Sequence, residues 1–354
     1  MLIFISSWLL YVGLTVLFSA SFTINLYVLI LIIMNIVFCL DNNYIPYCAA
    51  TIASVIDNNQ GEEIAFHLFV DGISDVNRKS LQEWVSGIEG KDILFYELSE
   101  DDFKDFPVGD AYINLTTYFR LVIQDKLPDI DKVIYLDCDT IVNGSLKELW
   151  NTEMGDYAVA GVRDRVNDSI RLYNRLRYPI HDGYINAGVL LINLKKWREI
   201  HVFDRAKEIA KSMPKALKNH DQDIINILFH DNKQMLPFRY NLLEYYLYVE
   251  EWLYLDRKYY PEIIEACKNP AIIHFCMPQK PWHYECINPF KELYYKYRKM
   301  TPWLEVELTH KIQKLSRKQK VKMLLGKFGL YHIESKPTLR REVNVIEEPN
   351  NVLF

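Results

Sequence analysis

The sequence predicts an α/β domain, a mostly parallel mixed sheet flanked by helices. Three observations lead there. Apolar runs and amphipathic stretches alternate from Asn35 to about Trp197, the pattern of strand–helix–strand units. One run, Val133–Thr140, is β-branched and delivers Asp137 and Asp139 with one residue between them; open α/β sheets bind ligands at the carboxyl ends of such strands. Half of the 354 residues are hydrophobic and 14% are aromatic, so core material is ample and wholesale disorder is excluded.

In chain order, Asn35–Leu40 reads as a first strand and Tyr47–Ile56 as the helix after it. Ile64–Val70 is a second strand, followed by a helix near Val76–Ser86, and Ile93–Tyr96 is a third strand. Thr116–Gln124 looks helical and must stop before Pro128, which cannot continue a helix. Lys132–Leu136 is the strand that carries the aspartates. Asn143-Gly144 makes a turn, and Ser145 caps a short helix through Trp150. Tyr157–Val162 and Gly188–Asn193 are further strands, Lys195–Lys211 and Asp221–Phe229 are amphipathic helices, and Ile272–Phe275 is a late strand. Beyond Pro289 the pattern turns helical, basic and aromatic, and no internal repeat occurs. The expected organisation is a catalytic domain over 34–283, an apolar segment over 1–33, and a helical C-terminal appendage over 284–354.

The net charge of −5 makes no case for nucleic-acid binding. Six cysteines show no CxxC pair and several lie in apolar runs, which fits reduced thiols in a cytosol-facing protein better than a disulfide scaffold. No charged residue precedes Asp41. The segment 1–33 is long enough for a membrane anchor, yet it lacks the basic flank of a signal peptide or anchor. It reads either as an anchor or as sequence ahead of a true start at Met34.

Two hard oxygen ligands with a spacer suit a divalent ion that also touches phosphate, so Asp137 and Asp139 are candidate ligands for Mg²⁺ or Mn²⁺. His274, at the end of a strand, could complete the shell, because imidazole suits Mn²⁺ better than Mg²⁺. Lys280, in a loop stiffened by Pro281, offers an ammonium to phosphate. The first strand runs into Asp41-Asn42-Asn43-Tyr44, where Asp41 could accept from a base and Tyr44 could stack on it. No GxGxxG is present, which argues against a dinucleotide fingerprint. Asn186 lies on a glycine-containing approach to a buried strand. Asp221 and Gln222 open a helix, either as a cap or as a polar pair for sugar hydroxyls. Arg120 sits in a helix with an apolar face, where a surface ion pair is the plain alternative.

These runs, in order, resemble glycosyltransferase family 8, the retaining sugar-nucleotide transferases that include bacterial lipopolysaccharide glucosyl- and galactosyltransferases. FCLDNNY, TTYFRLVIQDKLP, KVIYLDCDTIV, YINAGVLLINLKKWRE, DQDIIN and IIHFCMPQKPWH carry the likeness over about Asn35 to His283. The resemblance implies a GT-A nucleotide-diphospho-sugar transferase fold and a hexosyltransferase moving glucose or galactose from UDP-glucose or UDP-galactose to a glycan or glycolipid acceptor. It implies that Asp137, Asp139 and His274 hold Mn²⁺ (or Mg²⁺). Asp41, Asn43 and Tyr44 would meet the uridine, and Arg120 and Lys280 would serve the donor and its diphosphate. Asn186, Asp221 and Gln222 would contact the hexose, with Gln222 nearest the reacting carbon. One position departs from the pattern: Met277 stands where the family often has glycine, and its side chain would crowd the diphosphate or shift the loop.

Between Lys311 and Lys327 lie Lys314, Arg317, Lys318, Lys320 and Lys322, with leucines and aromatics nearby. That mixture suits a helix on an anionic membrane surface, so the expected location is cytoplasmic, peripheral on or anchored to the inner face of the membrane. Asn114, Asn143 and Asn167 each begin an Asn-x-Ser/Thr sequon; Asn143 lies just past the aspartate pair, and all three read as chance. Two other functions compete. Asp137-Cys138-Asp139-Thr140 is also the first motif of haloacid-dehalogenase-type phosphohydrolases, although that motif usually follows the first strand and no Gly-Asp-x-x-x-Asp follows it here. A non-catalytic sugar-nucleotide-binding protein would keep the fold and lose turnover.

Overall fold

The structure is a computed structural model that describes residues 33–107, 115–248, 252 and 255–310. All but the last residue of the segment 1–33, the sequon at Asn114 and the basic run Lys311–Lys327 lie outside the described residues. Ten strands are described: β1 Met34–Asp41, β2 Ile64–Asp71, β3 Lys91–Glu97, β4 Lys132–Leu136, β5 Thr140–Val142, β6 Val159–Arg163, β7 Ile185–Asn193, β8 Lys233–Met235, β9 Leu242–Leu243 and β10 Ile272–His274.

Seven of them form one sheet in the order β3-β2-β1-β4-β7-β6-β8. β3, β2, β1 and β4 run parallel, as do β6 and β8, while β7 runs antiparallel to both β4 and β6. The central strands are apolar on both faces because both faces are covered. Ile36, Phe38 and Leu40 of β1 and Ile134 and Leu136 of β4 pack to one side. Val37, Val133 and Tyr135 pack to the other, against Phe119, Leu121 and Trp197. Each fully buried side chain of this size contributes roughly 1.5–3 kcal/mol, so burial on both faces holds the strands that lead to the aspartates in place.

The helix Ile45–Asn58 begins with Pro46 in its first turn and buries Ile45, Cys48, Ile52 and Val55 against the sheet. Its small residues Ala50 and Ala53 face the helix Lys291–Arg298 through Tyr294 and Tyr297. Asn58 Nδ2 donates to Tyr297 Oη at 2.8 Å, and His283 bridges Thr309. The stretch 284–310 therefore lies against the sheet domain.

Three local features differ from expectation. The helix expected over Lys195–Lys211 is two helices, Leu194–Glu199 and Val202–Ser212, joined through His201 at φ 52°. The first is pinned by Trp197, whose indole donates to the Ala158 carbonyl at 3.0 Å, and by Arg198 on the Leu127 and Ile130 carbonyls. The second is held separately by Val202, Ala206 and Ala210, and the left-handed residue lets the chain turn between them. Thr116–Gln124 is mostly a 3-10 helix, Leu115–Val122, followed by one α turn, Ile123–Lys126. A small second sheet, β5-β10-β9, takes up the expected late strand as β10 and pairs it with β5 and β9, whose three and two residues are too short to leave a period in the sequence.

Candidate active site

Strand pairing assembles the site. β1 and β4 are parallel neighbours, with Val37 opposite Tyr135, and strand order runs outward in opposite senses from them. Their carboxyl ends therefore open on the crevice where such sheets bind ligands, placing the loop at 41–44 beside Asp137 and Asp139. Antiparallel pairing of β10 with β5 sets His274 opposite Thr140. Antiparallel β7 brings the Gly188 carbonyl to the Asp137 N–H at 2.8 Å. The turn between the aspartates is pinned from below by Thr51, whose hydroxyl lies 3.1 Å from the Cys138 carbonyl and 2.8 Å from that of Thr140.

Asp137, Asp139 and His274 each direct a ligand atom to one point, with those atoms within 4.8 Å of one another. His274 Nε2 lies 3.2 Å from Asp139 Oδ1 and 3.7 Å from Asp137 Oδ2. Two carboxylates turned toward one imidazole nitrogen suit a hard divalent cation. Gly188 makes the approach possible: a β-carbon there would stand 2.2 Å from His274 Cε1 and 2.7 Å from Asp137 Oδ2. Lys280 Nζ donates to Asp139 Oδ2 at 2.5 Å and to the Phe275 carbonyl at 2.7 Å. Burial disfavours the ionised Asp139 carboxyl, but the Lys280 ammonium beside it outweighs burial and holds the group well below the usual carboxylate range.

Arg120 is buried, not at the surface. Its guanidinium reaches Asp137 Oδ1 at 2.9 Å, Asp221 Oδ2 at 3.0 Å and the Ala187 carbonyl at 2.5 Å, and it lies over the Tyr135 ring. Asp221 also accepts from the Thr117 hydroxyl. Burial pushes the Asp221 carboxyl up from its ordinary value, with Arg120 and Thr117 opposing. Gln222 Oε1 accepts from the Ala187 N–H at 3.0 Å and from Asn186 Nδ2 at 3.1 Å. Thr117, Arg120, Asp137, Gly188, Asp221 and Gln222 line a cavity of about 220 Å³. Asp223 turns the other way, onto Arg175, Tyr184 and the Asn219 N–H.

The loop of the first strand lies at the opposite rim. Asp41 Oδ1 accepts from the N–H groups of Asn43 at 2.8 Å and Tyr44 at 3.2 Å, which closes the turn. Asn43 is exposed, and Tyr44 is 41% exposed with its ring edge-on to Trp282 at 6.0 Å. Trp282 stacks on Tyr47 at 3.9 Å. The Lys280–Trp282 segment thus meets the loop at 41–44 across the crevice. Met277 is half-buried in the same segment.

The model of glycosyl transferase family 8 matches residues 35–286. The chain belongs to glycosyltransferase family 8. Among proteins similar to it, general stress protein A of Bacillus subtilis is 30% identical over 77% of this chain and 95% of its own length. A lipopolysaccharide 1,2-glucosyltransferase of Escherichia coli is 28% identical over 82% of this chain and 85% of its own. The solved structure of the galactosyltransferase LgtC, in complex with donor and acceptor sugar analogs, superposes with a TM-score of 0.70 at 32% identity, covering 76% of this chain and 96% of that one. The family-8 chain is thus a glycosyltransferase with a GT-A fold, which overturns the phosphohydrolase alternative.

Several residues of this family-8 site escaped sequence reasoning. Asp164 accepts from Asn186 Nδ2 at 3.1 Å and from Gln222 Nε2 at 3.2 Å. Asn241 sits between Asn186 and His274. Thr117 and Tyr135 hold the two carboxylates that Arg120 joins. Only Gly188 left a signal, as a glycine inside an otherwise bulky buried strand, where close approach of another group is the usual reason.

Proposed function

We propose that this chain transfers glucose or galactose from a UDP-sugar to a glycan or glycolipid acceptor, with retention of configuration at the anomeric carbon. The observation that carries the reading is the cluster of Asp137, Asp139 and His274 at the end of β4, between the loop at 41–44 and the cavity of Arg120, Asp221 and Gln222. Mn²⁺, or Mg²⁺, fits the three side chains, and when bound it would neutralise the diphosphate as the sugar departs. Lys280 supplies a further cation to the same phosphates. Asp41 and Asn43 meet the uridine and Tyr44 stacks on its base. Asn186 and Gln222 hydrogen-bond the hexose.

Both oxygens of Asp221 are engaged, one by Arg120 and one by Thr117, so it is poorly placed to form a glycosyl-enzyme. A same-face route fits better: the acceptor hydroxyl attacks from the side the diphosphate leaves, and the departing phosphate oxygen takes the hydroxyl proton. The residues of the cavity then work chiefly by holding the sugar in position. Trapping a hexose on Asp221 by mass spectrometry would contradict this route.

The chain works at the inner face of the membrane in this reading, its reduced cysteines and C-terminal basic run being the support. Among the described residues no helix is long and apolar enough to cross a membrane. Thermal shift or saturation-transfer NMR with a panel of UDP-sugars, with and without Mn²⁺, tests the proposal. UDP-glucose or UDP-galactose should bind in a metal-dependent way; equal response to every nucleotide sugar, or none to UDP compounds, would refute it.

A further inference from the structure

His274 offers a lone pair at Nε2 to a cation between the two aspartates only if its other nitrogen carries the single proton of the neutral ring, and a chain of amides sets which nitrogen that is. The Gly188 N–H can only donate, and it donates to Asn186 Oδ1 at 2.9 Å. The Asp164 carboxylate accepts from Asn186 Nδ2 at 3.1 Å, so both ends of the Asn186 amide are fixed. Gln222 is fixed in the same way, its Oε1 accepting from the Ala187 N–H. The group facing Asn186 Oδ1 across 2.9 Å must then be the donating Nδ2 of Asn241. That leaves Asn241 Oδ1 to face His274 Nδ1 at 3.0 Å, an acceptor that requires Nδ1–H. Asn241 and His274 are both buried, Asn241 completely, so no solvent substitutes for either bond.

We propose that Asn241 is a positioning residue for the metal centre: it fixes the tautomer of His274 so that Nε2 offers a lone pair to the cation, and it ties that choice to the sugar-side amides Asn186 and Gln222. The proposal rests on the assignment of Asp137, Asp139 and His274 as the metal site. A neutral imidazole lone pair directed at two carboxylates is favourable only with a cation between them, which the tautomer therefore selects for. The 3-10 helix Phe238–Asn241 leads straight into β9, whose Leu243 is opposite His274 in β10. Backbone register thus keeps the amide and the ring in place.

The test is Mn²⁺ binding by the full chain, followed by calorimetry and by the ¹⁴N modulation that a coordinated histidine imposes on the Mn²⁺ electron spin echo. Asn241→Leu removes the acceptor at nearly constant volume and should weaken Mn²⁺ binding by about 10–100-fold, with loss of the nitrogen signal. Asn241→Asp keeps an acceptor for Nδ1–H while losing the donor to Asn186. It should retain the nitrogen signal and bind Mn²⁺ within about threefold of wild type, a span too small to reflect a lost ligand on the same scale. Wild-type binding by Asn241→Leu, or equal loss in both variants, overturns the proposal, since a packing role would not distinguish them. Should Asn241→Leu fail to fold, loss of the nitrogen signal from a folded Asn241→Asp protein overturns it, and its retention supports it. Asp139→Asn is the control for the metal assignment itself: if that variant binds Mn²⁺ as wild type does, the fault lies with the site and not with Asn241.

Discussion

Gly188 and His274 approach so closely that any side chain at 188 would enter the imidazole: the added carbon would stand 2.2 Å from Cε1 and 2.8 Å from Nδ1. Position 188 lies in a central strand, where overpacking typically costs about 1–3 kcal/mol. Gly188→Ala should therefore lower the melting temperature and push His274 away from the aspartates. Thermal shift with and without Mn²⁺ checks this; a metal response equal to that of wild type would show that the ring had not moved.

Arg120 neutralises the buried Asp221 and the half-buried Asp137 at once, and removal of one partner of a buried pair costs about 3–5 kcal/mol because a charge is left behind. Arg120→Met should destabilise the chain by about that amount in urea unfolding. Arg120→Met combined with Asp221→Asn should recover part of the loss, because Asp221 then carries no charge. Additive losses would place the role of Arg120 elsewhere.

Tyr44 is exposed at the rim and packs only edge-on to its aromatic neighbours. A ring free to stack on a base is worth about 1 kcal/mol, so Tyr44→Ala should weaken UDP binding by about fivefold to tenfold. Mn²⁺ affinity and melting temperature should stay unchanged. Calorimetric titration with UDP separates these quantities.

His67 lies between β1 and β3, its ring nitrogens 2.9 Å from Asn35 Oδ1 and 3.0 Å from the Tyr96 hydroxyl. Burial lowers its pKa from the ordinary 6.5 to about 4, with Asp92 opposing. The unfolded chain takes up that proton near pH 6.5 and the folded chain only near pH 4. Its stabilisation is therefore complete above pH 6.5 and is lost as pH falls toward 4, by about 3 kcal/mol in all. Urea midpoints measured across that range for wild type and His67→Gln check it: the slope should flatten in the variant.

The strands and the loops at their ends were legible because burial on both faces leaves continuous apolar runs, and polar residues after such runs stand out. The aspartate pair is the clearest case. Arg120 was harder, since a lone arginine in an amphipathic stretch looks the same whether it meets solvent or, as here, a buried and a half-buried carboxylate. Asn241 and Asp164 carry no local signal at all. Their meaning arises only when β7, the helix His220–Leu228 and the second sheet converge, contacts that span 22 to 58 residues of sequence. The break at His201 was invisible for a related reason: the apolar period runs through it, and only separate tertiary anchors on either side require the turn.

Anomalous scattering at the manganese edge from crystals grown with Mn²⁺ and UDP bears most directly on the metal-centred reading. One peak should lie at a ligating distance of about 2.2 Å from oxygens of Asp137 and Asp139 and from Nε2 of His274, with the diphosphate against it and the uracil beside Tyr44. A nucleotide bound with no ion at those three side chains, or a uracil away from the loop at 41–44, would contradict it.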